Sequence, residues 1–312
     1  MIPSSWIQEA AEHIRPYIHI TPLTYDKDHD IFLKWENHQV TGSFKARGAL
    51  NKVLSLQEWE RSAGLVTASA GNHGQGVALA GNLLRAAVTI FASDHAVPEK
   101  VAAMRSLGAD VRLVAGGYGE AEKAGLAYAQ EQRRTWISPY NDGQVIAGQG
   151  TLASEILAQL RAARPPTWIV PVGGGGLISG IGAALQHLST RPRLIGVQSE
   201  ASPFFQALFY HGDTSGVVEL PSLADGLAGP VEEGAVTIPL VKNYVDDILL
   251  VSEAEIRQAI AFAWRQYHER IEGSAAVSLA AILAGKIDSQ AVLILSGGNI
   301  QSELHRQILE NG

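Results

Sequence analysis

The chain has 312 residues, of which 46% are hydrophobic and 18% are charged, as is typical of a globular α/β protein with a large core. Its formal net charge of -7 argues against a broad nucleic-acid surface. Because the chain has no cysteine, disulfides, thiolate nucleophiles and thiolate metal sites are excluded. Neither a signal-peptide pattern nor an apolar run of about 18 residues is present, so we expect a cytoplasmic protein without a membrane partner.

The hydrophobic pattern predicts helices and strands in alternation. The first element is a helix whose apolar face includes Ile7 and Ile14, with Ser4 or Ser5 as its N-cap. The first half of the chain then continues with strand 31–35, helix 46–56, strand 65–68, helix 74–84, strand 87–92, helix 98–107, strand 111–115 and helix 120–134.

The second half follows the same pattern, and Ser252 with Glu255 predicts a capping box at a helix start. The predicted elements are strands 167–172, 194–197, 248–251 and 291–295, and a closing helix 300–309. Alternating strands and helices predict parallel sheets covered by helices on both faces. Ligands of such sheets bind beyond the carboxyl ends of the strands.

Four segments rich in small and polar residues lie at these strand ends or at helix starts, so we expect them to share one cleft. They are residues 41–49, 69–74, 173–176 and 296–299.

The third segment is a run of four glycines. With 32 glycines in 312 residues, chance gives only about 0.03 such runs. Glycine lets the backbone approach an anion closely, and the helix that follows directs N–H groups at it. A tight packing turn is the alternative. The spacing fits neither a P-loop nor a G-x-G-x-x-G motif.

Lys45 follows Gly42, Ser43 and Phe44 and precedes Gly48. Most lysines are solvated surface charges, but these small neighbours favour a buried, closely packed position. Burial lowers the pKa of a lysine, which suits Schiff-base chemistry with an aldehyde cofactor.

The other two segments, 69–74 and 296–299, combine hydroxyl, amide and glycine residues after a strand. Ser69 and Asn72 fit a carboxylate site or simple helix N-capping, and His73 fits a base or a neutral hydrogen-bonded residue. Ser296 fits a turn and helix cap or a hydroxyl that meets a ligand.

In this order, the four segments resemble the fold type II pyridoxal-phosphate (PLP) enzymes, within them the threonine/serine dehydratase and serine racemase family. The resemblance runs from about Tyr17 to the end, and residues 145–151 and 223–227 support it. It implies a tryptophan synthase β-like α/β fold with two open twisted sheets of parallel type, helices on both faces, and the cofactor in the interdomain cleft. It also implies a large domain (1–62 and 144–312), a small mobile domain (63–143) and a homodimer.

The same resemblance implies a role for each matching residue. Lys45 forms the Schiff base with PLP and exchanges protons with the substrate Cα. The other implied cofactor contacts are Phe44 and Gly226 beside the pyridine ring, Asn72 at its 3-hydroxyl, Gly173, Gly174, Gly175 and Gly176 at the phosphate, Ser296 at the ring nitrogen, and Glu272 nearby. The implied substrate-carboxylate loop is Ser69, Ala70, Gly71, Asn72 and His73.

Two positions depart from the family pattern. Ala70 stands where serine racemases have a serine that serves the opposite face of Cα, which favours a dehydratase. Gln198 stands where many relatives have a cation-binding glutamate, and Glu200 is two residues away, so we expect no metal site. The chain ends soon after residue 299, so we expect no C-terminal regulatory domain.

The sequence therefore predicts a PLP-dependent ammonia-lyase that converts a β-hydroxy amino acid, L-threonine or L-serine, to a 2-oxo acid and ammonia by β-elimination. The alternatives are a serine racemase and a dehydratase of phenylserine or hydroxyaspartate. A more remote alternative is a non-catalytic PLP-binding protein.

Overall fold

The structure is a computed structural model, and it describes residues 1–161, 165–287 and 290–311. Its strands form two separate sheets. The larger sheet has the order β1-β2-β10-β7-β8-β9 and contains β1 (Leu23–Asp26), β2 (Ile31–Trp35), β7 (Thr167–Pro171), β8 (Arg193–Ser199), β9 (Asp247–Val251) and β10 (Ala291–Leu295). The smaller sheet has the order β5-β4-β3-β6 and contains β3 (Leu65–Ala68), β4 (Val88–Ser93), β5 (Asp110–Val114) and β6 (Thr135–Trp136).

Helices cover both sheets. They are α1 (Ser4–Ile14), α2 (Lys45–Ser55), α3 (Glu58–Ser62), α4 (Asn72–Leu83), α5 (Pro98–Ser106), α6 (Tyr118–Glu131), α7 (Gly143–Leu160), α8 (Gly176–Leu185), α9 (Phe204–Tyr210), α10 (Thr237–Tyr244), α11 (Glu253–Tyr267), α12 (Gly273–Leu283) and α13 (Ser302–Asn311). Two short 3-10 turns, Glu36–His38 and Asp225–Leu227, complete the regular structure. Among the described residues, no helix is both long and apolar enough to cross a membrane.

All strand pairs are parallel except β1 with β2, which are antiparallel. The predicted α/β fold with two sheets of parallel type is therefore confirmed, with one antiparallel edge strand added. The strands of the smaller sheet lie within residues 65–136, and those of the larger sheet lie outside this range. The predicted division into domains at 63 and 143 stays a prediction, as does the mobility of the smaller one.

The two sheets are joined by packed helices. Helix α2 packs on α4 above the smaller sheet, α7 packs on α8 above the larger sheet, and α2 and α7 contact each other. At this crossing a Cβ on Gly48 would lie 2.7 Å from the backbone carbonyl oxygen of Val145, so only glycine allows the two helices to approach so closely. The crossing fixes the first turn of α2, where Lys45 lies.

A network of four charged residues holds the other side of α2; it consists of the buried Lys34, Glu36 and Arg47 and the partly buried Glu155, and we call it the buried ion network. Arg47 Nε lies 2.8 Å from Glu36 Oε2, and its Nη2 lies 3.0 Å from Glu155 Oε2. Lys34 Nζ lies 2.5 Å from Glu155 Oε1. Each charge therefore has an opposite partner, as buried charges require.

Some local predictions were wrong. Neither Ser4 nor Ser5 caps α1: both lie inside the helix, and its N-cap is Pro3 without a side-chain hydrogen bond. The closing helix begins at Ser302, not at residue 300. The pattern also missed α7, because three of its 18 residues are glycines, which have low helix propensity but serve tight packing here.

Candidate active site

Every residue predicted to contact cofactor or substrate lines one cleft of about 250 Å3. The cleft lies at the carboxyl ends of β3, β7 and β10, so both sheets contribute to it. The predicted residues that it brings together are Phe44, Lys45, Ser69, Ala70, Gly71, Asn72, His73, Gly173, Gly174, Gly175, Gly176, Gly226, Glu272 and Ser296. Their individual roles stay predictions.

Lys45 is the first residue of α2, and its position is tied to the end of β10. The N–H of Phe44 donates to the carbonyl of Ser296 at 3.0 Å, and Ser43 forms a bridge with Gly297. Lys45 Nζ donates to the carbonyl oxygen of Pro139 at 3.0 Å. Burial lowers the pKa of this amine to about 8, while the Glu272 carboxylate partly opposes the shift. Near neutral pH the amine can therefore lose or gain a proton readily.

The four glycines form a turn between β7 and α8. Gly175 has a φ of +82°, and a Cβ on Gly174 would lie 2.3 Å from the Tyr140 ring, so side chains are excluded at both positions. Helix α8 begins at Gly176 and directs its first N–H groups towards the turn. The turn is thus a concave surface of backbone donors that fits a phosphate group.

Asn72 and Glu272 form a hydrogen-bonded group that also includes Asn299. Asn72 Nδ2 donates to Glu272 Oε1 at 2.6 Å, and Asn299 Nδ2 donates to Asn72 Oδ1 at 2.7 Å. Burial raises the pKa of Glu272 to about 7, and the Asp225 carboxylate adds to the shift. The two contacts fix which end of the Asn72 amide faces which partner.

Ser69, Ala70, Gly71, Asn72 and His73 form the loop between β3 and α4; we call it the carboxylate loop. Its Gly71 N–H donates to Ser69 Oγ at 3.1 Å, and α4 begins at Asn72 with its backbone donors towards the loop. Neither Ser69 nor Asn72 caps the helix by its side chain, so the N-capping alternative was wrong.

His73 is buried and its pKa is lowered to about 3, because burial and the neighbouring Lys45 amine disfavour its charged form. Its Nε2 lies 3.1 Å from the carbonyl oxygen of Ile137, so this nitrogen carries the proton of the neutral ring. Nδ1 is then an acceptor, and it has no hydrogen-bond partner among the described residues. His73 is therefore the neutral residue that the sequence had left open.

The cleft also contains residues to which the sequence gave no role. Lys100 pairs with Asp225 across the cleft, with Nζ 2.8 Å from Oδ2, and Ser274 Oγ accepts from the N–H of Gly226 at 3.0 Å. Lys100 lies on α5, whose sequence resembles an ordinary surface helix, so no local signal pointed to it. Ser274 is two residues after Glu272, and this proximity was the available signal.

Tyr118 and Tyr140 also line the cleft, whereas the nearby Asp142 does not. Asp142 caps α7 by accepting from the N–H groups of Gln144 and Val145, and it pairs with Lys52 at 2.7 Å.

The region where relatives place a cation differs in its chemistry. Gln198 is buried and accepts from the N–H of Gln206 at 2.7 Å. The Glu253 carboxylate accepts from Ser199 and Ser222 hydroxyls, each at 2.6 Å. Within the described ranges, no three His, Cys, Asp or Glu residues are grouped as a metal site would need. Gln198 thus offers an amide where the resemblance implies a carboxylate, and the expectation of no metal site stays a prediction.

The cleft fits PLP. A phosphate fits the glycine turn, and an aldehyde fits the buried Lys45 amine. Phe44 offers an apolar face beside that amine, whose nitrogen is 5.4 Å from the ring centroid. Phosphate donors, amine and aromatic face are thus gathered in one cleft.

Comparison with known proteins supports this assignment. A family model described as "Pyridoxal-phosphate dependent enzyme" matches residues 10–297. The L-threonine ammonia-lyase of Thermotoga maritima is 40% identical, over 100% of this chain and 79% of that protein. A solved threonine deaminase from T.th. is 34% identical with a TM-score of 0.86, covering 95% of this chain and 98% of that one.

A second solved structure, maize serine racemase, is 30% identical with a TM-score of 0.88, covering 98% of this chain and 96% of that one. The resemblance seen in the sequence is therefore confirmed. From the buried amine, the glycine turn and these matches together, the chain belongs to the pyridoxal-phosphate-dependent enzymes of fold type II.

Proposed function

We propose that the protein is an ammonia-lyase that converts L-threonine or L-serine to a 2-oxo acid and ammonia by β-elimination. The observation that carries the proposal is the buried Lys45 amine, whose pKa is lowered to about 8, in a cleft with one anion-binding turn and one carboxylate loop. The threonine ammonia-lyase and threonine deaminase named above support this substrate class.

PLP, when bound, supplies an electron sink that makes the Cα proton of an amino acid acidic. Lys45 would hold the cofactor through its amine, and once the substrate amine has taken its place there, the freed Lys45 amine would remove this proton. The carbonyl of Pro139, 3.0 Å from its Nζ, holds the amine in the cleft. Because its pKa is close to working pH, the amine can accept the proton without becoming permanently charged.

The remaining residues would hold the reacting groups. We assign the phosphate to Gly173, Gly174, Gly175 and Gly176, and the ring to Phe44, Gly226, Asn72, Glu272 and Ser296. A hydroxyl such as that of Ser296 cannot fully protonate a pyridine nitrogen, whereas a carboxylate could. The ring is then a weaker electron sink, which favours prompt loss of the β-hydroxyl over transamination.

We assign the substrate carboxylate to the carboxylate loop. The backbone N–H groups at the start of α4 and the Ser69 hydroxyl would bind it. The His73 ring is not a donor here, because its only proton points at Ile137. This sharpens the expectation from sequence, which had given the His73 side chain a share of the carboxylate.

The test is a substrate panel with the purified, PLP-loaded protein. We expect release of 2-oxo acid and ammonia from L-threonine or L-serine, with slower release from phenylserine and hydroxyaspartate. The control is Lys123→Ala, a change at an exposed lysine of α6 that should leave turnover unchanged. Cofactor absorbance without release from any of these amino acids would support a non-catalytic PLP-binding protein instead.

Serine racemisation is the second candidate, supported by the maize serine racemase match. Against it stands Ala70, which lines the cleft and has no titratable group. A chiral assay on L-serine separates the two: D-serine formed faster than pyruvate would replace the ammonia-lyase proposal by racemisation.

A homodimer and a cytoplasmic location complete the proposal. Both come from the family resemblance and from the composition of the chain. Sedimentation equilibrium of the purified protein tests the first, and fractionation of the source cells tests the second.

A further inference from the structure

Lys100 lies beside the carboxylate loop although it belongs to α5. The distances from the position of a Cβ on Gly71 to Cδ and Nζ of Lys100 are 3.4 and 3.7 Å. The Lys100 side chain is only 14% exposed, and Nζ is 2.8 Å from Asp225 Oδ2. A mostly buried ammonium group is therefore held in contact with the loop assigned to the substrate carboxylate.

The carboxylate loop itself carries no positive charge. Ser69, Ala70, Gly71 and Asn72 are neutral residue types, and the His73 ring is neutral because its pKa is lowered to about 3. Among the described residues that line the cleft, Lys45 and Lys100 are the two lysines, and no arginine lines it. Lys45 is committed to the cofactor, so Lys100 is the remaining cation.

The cleft has acidic groups that would repel an anionic substrate. Asp225 and Glu272 both line it. The Lys100 ammonium interacts with both carboxylates: although burial acts to lower its pKa, Asp225 and Glu272 raise it overall, so the amine stays charged. A cation beside the N–H donors of the loop would compensate for the desolvation of a carboxylate that enters this cleft and for this repulsion.

Asp225 can give up its partner at low cost. The side chain of Asp225 is 55% exposed, so water can solvate its carboxylate when the ammonium turns elsewhere. Ion pairs with such an exposed partner contribute little to stability. The Lys100 ammonium can thus exchange the Asp225 carboxylate for another carboxylate.

We propose that Lys100 recognises the α-carboxylate of the substrate, with Asp225 as a competing partner, and so selects amino acids over the corresponding amides. This inference rests on the proposed function, because it takes an amino acid as the substrate. Lys100 lies outside the carboxylate loop, and it would contribute to specificity because it carries the positive charge that the loop lacks.

The test measures binding without turnover. L-Alanine has no β-leaving group, and L-alaninamide differs from it by lacking the carboxylate charge. Both are titrated into the PLP-loaded protein, and the dissociation constants are taken from the change in cofactor absorbance. Lys100→Gln should weaken the binding of alanine about tenfold to hundredfold and the binding of alaninamide by less than about threefold. The reason is that alanine alone loses a hydrogen bond to a charged group.

Two matched variants separate this role from a structural one. Lys100→Arg keeps the charge and should bind alanine within about threefold of the wild type. Asp225→Asn removes the competing carboxylate and should bind alanine at least as tightly as the wild type. Asp225→Asn also keeps the test usable if Lys100→Gln does not fold.

Equal weakening of alanine and alaninamide by Lys100→Gln, or weaker alanine binding in Asp225→Asn, would overturn the inference. Its failure is distinct from failure of the proposed function, which the release of 2-oxo acid from threonine by the wild type decides. With threonine as substrate, Lys100→Gln should raise KM and leave kcat within about threefold, because uniform binding is removed.

Discussion

Two residues on the same helix, Lys45 and Arg47, are both buried, yet their surroundings shift their pKa values in opposite directions. Arg47 faces the buried ion network, where Glu36 and Glu155 lie 2.8 and 3.0 Å from its nitrogens. Although burial acts to lower its pKa, these carboxylates raise it overall. Lys45 faces the cleft, where a neutral carbonyl is 3.0 Å away and burial lowers its pKa to about 8.

The contrast shows how one helix serves both structure and chemistry. Matched buried charges are inert, because neither partner can change its protonation state without leaving the other uncompensated. An unmatched buried amine is reactive, because its neutral form is accessible near neutral pH. Perturbed groups in a cleft therefore indicate the site, while a paired group such as Arg47 indicates the scaffold.

The largest expected effect is on turnover, from Lys45→Ala. Loss of the amine that bonds to the cofactor and moves the Cα proton should lower kcat/KM by about 10⁴-fold or more. Steady-state 2-oxo acid release measures it. The melting temperature of the cofactor-free protein should not fall, because an uncompensated buried charge is removed. A variant that kept a tenth of the wild-type activity would contradict the role given to Lys45.

The largest expected effect on stability is from Arg47→Met. It leaves the buried Glu36 without its paired cation and removes one of the two cations that contact Glu155, which should cost about 3–5 kcal/mol in the free energy of unfolding. Urea denaturation of the cofactor-free protein measures it. The control is Arg306→Met on α13, whose pairs with Glu303 and Glu310 are exposed and whose removal should leave the midpoint unchanged. Equal urea midpoints for Arg47→Met and Arg306→Met would contradict the structural role given to Arg47.

A smaller, pH-dependent effect is expected from Glu272→Gln. The pKa of Glu272 in the folded protein is raised from 4.5 to about 7, so its contribution to stability is present below pH 4.5 and is lost as pH rises through 7. The cofactor-free variant should thus match the wild type near pH 4.5 and exceed it at pH 8, by at most about 3 kcal/mol. Denaturation series at both pH values measure it.

If Glu272→Gln increased the free energy of unfolding equally at pH 4.5 and pH 8, titration of the Glu272 carboxyl would not be the cause of the increase. Asp30→Asn is a suitable control, because Asp30 lies on the surface beside Tyr25 and away from the cleft.

The smallest expected effect is from His73→Gln. Because the His73 pKa is lowered to about 3, the ring stays neutral throughout the working range. The variant should keep the midpoints of the pH–kcat/KM profile and lose about 1 kcal/mol of stability with the hydrogen bond to Ile137. A shifted acid limb would mean that this ring titrates during turnover, contrary to its position in the structure.

The sequence by itself identified the parts of this protein that depend on local patterns. Strand Leu65–Ala68, strand Ala291–Leu295 and the capping box of Ser252 with Glu255 were predicted as the structure has them. Periodicity and capping are local properties, so they can be recognised in the sequence without knowledge of the fold. The four marked segments, each of which contributes residues to the one cleft, were also named from their small and polar character.

Tertiary structure decided which charges meet. Lys100 and Asp225 are 125 residues apart, and Lys34 and Glu155 are 121 apart, so no local pattern can pair them. Nor can a sequence say which nitrogen of His73 carries the proton, since the carbonyl of Ile137 decides it. A pKa depends on burial and on neighbours in space. The sequence thus determined which chemical groups are available, and the packing of α2 between two sheets determined which of them are reactive.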